Sequence, residues 1–91
     1  MIRSFRSFVS ESIEEPGWIE SADGLAKEIV FGTQTELAEF LLKAARLADE
    51  LGHHPDAEIF EATKLRLTLI THSENAVTDL DRRLARLIDS I

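Results

Sequence analysis

The sequence has no cysteine and no tyrosine, and its 91 residues include only two prolines and one tryptophan. The absence of cysteine excludes disulfide bridges, thiolate nucleophiles and zinc sites built on sulfur ligands. No stretch approaches the roughly 20 consecutive apolar residues that a helix needs to span a membrane. We therefore expect no membrane partner and take the cytoplasm as the location.

Basic residues are also scarce, since 10 lysines and arginines stand against 17 acidic residues and give a net charge of −7. Binding of phosphate groups requires clustered basic side chains, so this balance argues against a nucleic-acid partner. The remaining composition, 44% apolar and 30% charged, is that of an ordinary soluble domain. The length accommodates one domain, residues 1–91, and no second core.

The first third of the chain predicts a short helix followed by a β-hairpin. Helical spacing of apolar residues before Pro16 predicts an amphipathic helix that contains Phe5, Phe8, Val9 and Ile13. This Arg- and Ser-rich start also has some character of an organelle presequence, but acidic residues follow at once, so we interpret it as a helix. Asp23-Gly24 is a hairpin signal between residues 18–20 and 25–31, which we predict to be strands.

The most regular predicted element is a long helix after residue 33. Thr33 and Glu36 have the spacing of a capping box, and Gly52 stands where a left-handed terminator is expected. Between them runs one apolar stripe about four turns long. Its members are Leu37, Phe40, Leu41, Ala44, Ala48 and Leu51.

The second half of the chain predicts two strands and a final helix. Leucines alternate with polar residues over residues 64–71, and we place a shorter strand within residues 58–61. A last helix is predicted to begin at Thr78, with Asp81 at its third position and an apolar stripe of Leu80, Leu84, Leu87 and Ile91. The order α-β-β-α-β-β-α predicts an α+β fold, a four-stranded antiparallel sheet with three helices packed on one face.

The three histidines occur at the ends of predicted elements, where functional residues are concentrated. His53 and His54 precede Pro55 in the loop after the long helix, and His72 follows the best strand. Asp49 lies one helical turn before His53, so its carboxylate is placed to orient an imidazole.

Three interpretations of these histidines are open. They are surface-loop residues without a function, ligands of a metal such as zinc, or general acids and bases. Adjacent histidines on an extended backbone rarely reach one metal, so we expect no metal site. The chain also lacks the G-x-S-x-G pattern of a serine hydrolase and any glycine-rich phosphate loop. Acid–base chemistry is what imidazoles perform at neutral pH, but the spacing leaves the reaction undefined.

The sequence Asp49-x-x-x-His53-His54-Pro55, then Thr71-His72, then Asp81 resembles the signature of the pterin-4a-carbinolamine dehydratases. The similarity extends from Gly17 to the end of the chain. It implies the dehydration of a 4a-hydroxytetrahydropterin to the quinonoid dihydropterin, a hydro-lyase reaction that recycles the pterin of aromatic amino-acid hydroxylases. The pterin is then the substrate, and no cofactor is implied.

The resemblance also implies a role for each residue of the signature. His53 and His72 would be the acid–base pair, with His54 binding and positioning the pterin. Asp49 and Asp81 would hydrogen-bond the ring or tune the histidines. Pro55 and Trp18 complete the expected substrate-binding set, although Trp18 is equally well a core or interface aromatic.

Two segments depart from the family pattern. The stretch from Pro55 to His72 is one residue longer than expected, and we predict a bulge or a shifted loop at residues 60–63 that reshapes a pocket wall. Asn75-Ala76 replaces the usual glycine pair. Asparagine adopts the left-handed conformation readily, whereas alanine does so only at a cost.

These departures motivate a second hypothesis, a catalytically inactive module of the same fold. Some relatives of these dehydratases are dimerisation cofactors or assembly chaperones. A small sheet with exposed edges pairs readily with another copy, and a domain of this size gains stability from association. We expect a homodimer or homotetramer under either hypothesis.

Overall fold

The computed structural model describes residues 17–91. They form two helices and four strands, in an order that confirms the predicted one from the first strand onward. The elements are β1 (Ile19–Ser21), β2 (Gly24–Val30), α1 (Gln34–Leu51), β3 (Asp56–Phe60), β4 (Lys64–Leu69) and α2 (Asp79–Asp89). The helix predicted around Phe5 and Ile13 lies outside the described residues.

The four strands form one antiparallel sheet in the order β1-β2-β4-β3. The Asp23-Gly24 hairpin is confirmed, and Gly24 has a φ of 130° that other residues rarely adopt. A Cβ at this position would lie 2.5 Å from the carbonyl oxygen of Leu69 on the neighbouring strand. Glycine is therefore required both by the backbone angle and by the close approach of β4.

The hydrophobic core lies between the two helices and a single face of the sheet. The strands contribute Leu25 and the alternating leucines of β4, which are fully buried as the alternation predicts. The helices contribute Leu37, Ala44, Ala48, Leu84, Ala85 and Ile88. Within residues 17–91 no helix covers the opposite face, where Arg66 lies between Glu28 and Glu58.

Helix α1 has the ends that the sequence predicts. The hydroxyl of Thr33 accepts a hydrogen bond from the Glu36 amide at 3.1 Å, and the Glu36 carboxylate accepts one from the Gly32 amide at 3.0 Å. Gly52 ends the helix in the left-handed conformation, with a φ of 69°. The two ends fix the length of α1 and so the position of the histidines that follow it.

The buried face of α2 is not the predicted one. Leu80 and Ile91, which we expected in the core, are exposed, whereas Leu84 is buried as expected. The buried residues follow helical spacing from a carboxylate, and they are Asp81, Leu84, Ala85 and Ile88. The apolar pattern misassigned this face because a charged residue occupies one of its core-facing positions.

We predicted a bulge or a shifted loop at residues 60–63, and the structure has no bulge in the strand there. Strand β3 begins at Asp56, two residues earlier than expected, and pairs with β4 in a regular register up to Phe60 opposite Lys64. The irregularity is confined to the turn, where Glu61 and Ala62 have φ values of 51° and 67°. This turn is at the end of β3 remote from His54, about 13 Å along the strand, so it builds no wall beside the histidines.

The left-handed turn generates a prediction about stability. A left-handed alanine is strained and glycine is not, so Ala62→Gly should raise the free energy of unfolding by about 0.5 to 1 kcal/mol. Urea unfolding followed by the fluorescence of Trp18, the only tryptophan, measures the change. Ala57→Gly in extended β3 is the matched control and should lower stability by about the same amount. A loss of stability in both variants would contradict the left-handed turn.

Candidate active site

The two histidine segments lie at the same end of the sheet. Strands β3 and β4 are antiparallel, and Asp56 at the start of β3 pairs with Thr68 near the end of β4. The segment His53-His54-Pro55 leads into β3 at this end, and Thr71-His72 leaves β4 there. The N-terminus of α2 is the third element at this position, because Thr71 contacts Asp81 in its first turn.

His53 is held between the end of α1 and the start of α2. After the turn at Gly52, the backbone amide of His53 donates to the carbonyl of Ala48 at 3.1 Å. Its ring Nε2 lies 2.5 Å from Oδ1 of Asp81, and only 13% of the side chain is exposed. The ring is therefore fixed by both its backbone and its carboxylate partner.

Asp81 is a fully buried carboxylate surrounded by donors. Besides the contact with His53, Oδ2 accepts from the Thr71 hydroxyl at 2.8 Å and from the Thr78 amide at 2.9 Å. Burial acts to raise the pKa of Asp81, but the hydrogen bonds from His53, Thr78 and Thr71 outweigh it and hold the pKa below its ordinary value. Asp81 is consequently ionised at neutral pH.

The ionised carboxylate determines which nitrogen of His53 carries the proton. A carboxylate only accepts hydrogen bonds, so Nε2 of His53 must donate to Oδ1 of Asp81. In the neutral ring the other nitrogen, Nδ1, is then the acceptor. This arrangement leaves Nδ1 as the atom of His53 that can exchange a proton with a ligand.

His54 has a carboxylate partner of its own, in a more exposed setting. Its Nε2 lies 2.7 Å from Oδ1 of Asp49 in the last turn of α1, and both side chains are mostly exposed. Asp49 thus contacts His54 and not His53, although helical spacing from Asp49 leads to His53. Pro55, which is half-buried, follows directly and begins the extended segment before β3.

His72 is exposed at the first position of a short loop after β4. The loop is closed by pairing between Thr71 and Ala76, whose carbonyl accepts from the Thr71 amide at 3.0 Å. Asn75 adopts the left-handed conformation with a φ of 53°, as the sequence permits, and Ala76 does not need it. The neighbour of His72 in sequence, Thr71, contacts Asp81, which in turn holds His53.

Trp18 is not brought together with the histidines. It is buried, and its indole N–H is shared between both carboxylate oxygens of Asp89 at 3.1 Å. Lys27 also contacts Asp89, at 2.8 Å. Asp89 follows Asp81 by eight residues, about 12 Å along α2. The contacts of Trp18 are those of a core residue, and its role in binding a ligand stays a prediction.

Two threonines that were not predicted as site residues, Thr71 and Thr78, form hydrogen bonds to Asp81. Thr71 was part of the signature and Thr78 was a helix cap, but the Thr71 hydroxyl contacts both the Thr78 hydroxyl and Asp81. The signal that could have found Thr78 is its spacing from Asp81, because a residue three positions into a helix faces its cap.

The described part of the chain has no group of three histidine or acidic side chains placed to hold a metal ion. The adjacent His53 and His54 contact two separate carboxylates, Asp81 and Asp49. Neither α1 nor α2 is long and apolar enough to cross a membrane.

The buried carboxylate predicts how stability depends on pH. The pKa of Asp81 is lower in the folded chain than in the unfolded chain, where it is about 3.9, so the unfolded state takes up the proton first. Its contribution is complete above about pH 5 and is lost as the pH falls through the folded pKa. We therefore predict that Asp81→Asn costs about 3 kcal/mol at pH 7 and that the difference from wild type shrinks towards pH 2.

Urea unfolding between pH 7 and pH 2 measures this difference, with Trp18 fluorescence as the signal. Asp79→Asn is the matched control, because Asp79 is exposed in the same turn of α2. It should retain the acid dependence of the wild type. A variant Asp81→Asn that loses stability in acid as steeply as the wild type would contradict the assignment.

Comparison with known proteins shows relatives that match most of the chain. The sequence model described as pterin 4 alpha carbinolamine dehydratase matches residues 6–91. A protein of Thermomicrobium roseum is 38% identical over 73 residues, covering 80% of this chain and 77% of the relative. One from Sulfolobus acidocaldarius is 38% identical over 78 residues, covering 86% and 85%. Both are provisionally named pterin-4-alpha-carbinolamine dehydratases.

Two solved structures share the fold. One is described as a transcriptional coactivator/pterin dehydratase from Brucella melitensis, with a TM-score of 0.74, 32% identity, and coverage of 81% of this chain and 80% of the other. The second is a pterin dehydratase-like protein identified as a RuBisCO assembly factor in the alpha-carboxysome, with a TM-score of 0.67, 26% identity, and coverage of 85% and 90%. The histidine signature, the fold and the matched length lead to one conclusion: the chain belongs to the pterin 4 alpha carbinolamine dehydratase family.

Proposed function

We propose that this protein is a hydro-lyase that converts a 4a-hydroxytetrahydropterin into the quinonoid dihydropterin and water. The observation that carries the proposal is the hydrogen bond between His53 and the buried, ionised Asp81, which leaves Nδ1 of His53 as its acid–base atom. Family membership supplies the substrate class. Such a reaction serves pterin recycling after aromatic amino-acid hydroxylation.

The reaction requires two proton transfers, one to the hydroxyl on C4a and one from N5. The C4a–O bond breaks as its hydroxyl gains a proton and leaves as water, while N5 loses a proton and forms a double bond to C4a. We assign the removal of the N5 proton to His53, because the Asp81 carboxylate stabilises the imidazolium that results. We assign the donation of a proton to the departing hydroxyl to His72, which lies on the adjacent loop.

The remaining residues of the signature bind and orient the ring. His54, held by Asp49 at 2.7 Å, is expected to contact the pterin edge, with Pro55 favouring an extended backbone at His54. This division assigns proton transfer to the half-buried His53 and the exposed His72, and positioning to the exposed His54. No cofactor takes part in the proposed chemistry. We keep the cytoplasm as the expected location and a homodimer or homotetramer as the expected state.

A second candidate is a non-enzymatic assembly module. It is favoured by one specific observation, the likeness to a protein identified as a RuBisCO assembly factor. The sheet face of Arg66 and Val30 has no helix over it within residues 17–91, and Val30 is 57% exposed. Such a module has no need for an ionised carboxylate buried against His53, and for this reason we favour the enzyme.

The proposal predicts a specific pattern of kinetic effects. In a stopped-flow assay with freshly generated 4a-hydroxytetrahydropterin, His53→Ala and His72→Ala should each lower kcat by about 10²- to 10⁴-fold, the usual contribution of a positioned acid or base. His54→Ala should raise KM more than it lowers kcat. Glu61→Gln, in the turn remote from the histidines, is the control and should leave the rate unchanged.

The wild-type rate decides between the two candidates. Dehydration faster than the buffer reaction, and dependent on His53 and His72, supports the hydro-lyase. A wild-type rate equal to that of buffer eliminates it and leaves the assembly module.

A further inference from the structure

Two threonine hydroxyl groups are connected to Oδ2 of Asp81, the carboxylate oxygen that does not contact His53. Oγ1 of Thr71 is 2.8 Å from Oδ2 of Asp81 and 2.6 Å from Oγ1 of Thr78. Thr71 is buried and Thr78 is half-buried. The proton transfers assigned to the histidines do not use either hydroxyl, so their arrangement needs its own explanation.

The chemistry of the groups fixes the direction of these hydrogen bonds. An ionised carboxylate accepts and cannot donate, so the single hydroxyl proton of Thr71 points to Asp81. The oxygen of Thr71 must then accept the proton of Thr78. Donation runs in one direction, from Thr78 through Thr71 to Asp81, and successive bonds of this kind polarise and strengthen one another.

The two oxygens of Asp81 have separate partners. Oδ2 accepts from the Thr71 hydroxyl and from the Thr78 amide, whereas Oδ1 is directed at Nε2 of His53. Two donors on Oδ2 restrict rotation of the carboxylate about its terminal bond. Oδ1 is thereby kept where it can receive the proton of His53.

We infer that Thr71 and Thr78 are positioning residues, whose hydroxyls orient the Asp81 carboxylate and so keep His53 protonated on Nε2 with Nδ1 available for proton transfer. The inference rests on the proposed function only in the use made of Nδ1. The hydroxyl of Thr78 acts on His53 through two residues, Thr71 and Asp81.

The alternative is that Thr78 only caps α2. Its backbone amide, and not its hydroxyl, donates to Asp81, so a side-chain substitution leaves that bond in place. Thr33 provides the matched control, because its hydroxyl caps α1 by accepting from the Glu36 amide. Removal of either hydroxyl removes a group from a helix cap, but only Thr78 is connected to His53.

The decisive experiment measures the ¹⁵N NMR chemical shifts of the two ring nitrogens of His53 in the ligand-free protein. These shifts report directly which nitrogen carries the proton. Wild type should show protonation on Nε2. Thr71→Val and Thr78→Val should bring the shifts of the two ring nitrogens closer together, as the tautomers mix. Thr71→Ser and Thr78→Ser restore the hydroxyl and should restore the wild-type shifts, and Thr33→Val should never alter them.

The kinetic measurement is separate from this one. If the protein is a dehydratase, Thr78→Val should lower kcat about tenfold, a fraction of the ~10²- to 10⁴-fold that a positioned base contributes, with little change in KM. Unchanged His53 shifts in both valine variants overturn the inference, and unchanged shifts in Thr78→Val alone remove Thr78 from it. Altered shifts in a protein whose wild type has no dehydratase activity leave the inference intact and reject the proposed function.

Discussion

The arrangement of the molecule depends on one hydrogen bond, between the buried carboxylate of Asp81 and the ring of His53. A buried carboxylate is strongly unfavourable unless donors replace the water it has lost. The donors are His53 in the loop after α1, Thr71 just beyond the end of β4, and Thr78 at the N-cap of α2. The charge therefore ties together three segments that are distant in sequence, and it does so at the place where the histidines lie.

Stability alone does not explain a carboxylate at this position. The neighbours of Asp81 on the buried face of α2 are apolar, and an apolar side chain in place of a buried charge is often neutral or stabilising. What an apolar residue cannot do is fix the proton of His53. Under the proposed function, this charge serves the proton chemistry of His53, and the surrounding donors offset the cost of burying it.

The features that could be predicted from the sequence are those set by local physics. The cap at Thr33 and the terminator at Gly52 depend on a few neighbouring residues, and the alternating leucines of β4 require only that one face of the sheet is buried. The face of α2 could not be predicted, because Asp81 interrupts its apolar periodicity. Nor could the partner of Asp49, since the turn at Gly52 decides which imidazole reaches it. The resemblance to a family supplied the substrate class, which no local pattern contains.

Helix α2 is anchored at both ends by carboxylates, through Asp81 near its start and through Asp89, which holds Trp18 and Lys27, at its last residue. An acidic residue at the C-terminal end of a helix opposes the helix dipole, and these two donors offset that repulsion. Neither contact involves the β3–β4 turn, which lies at the end of these strands remote from the histidines. That turn is accordingly a tolerant graft site, where an inserted peptide or reporter loop can be accommodated while the histidine end keeps its geometry.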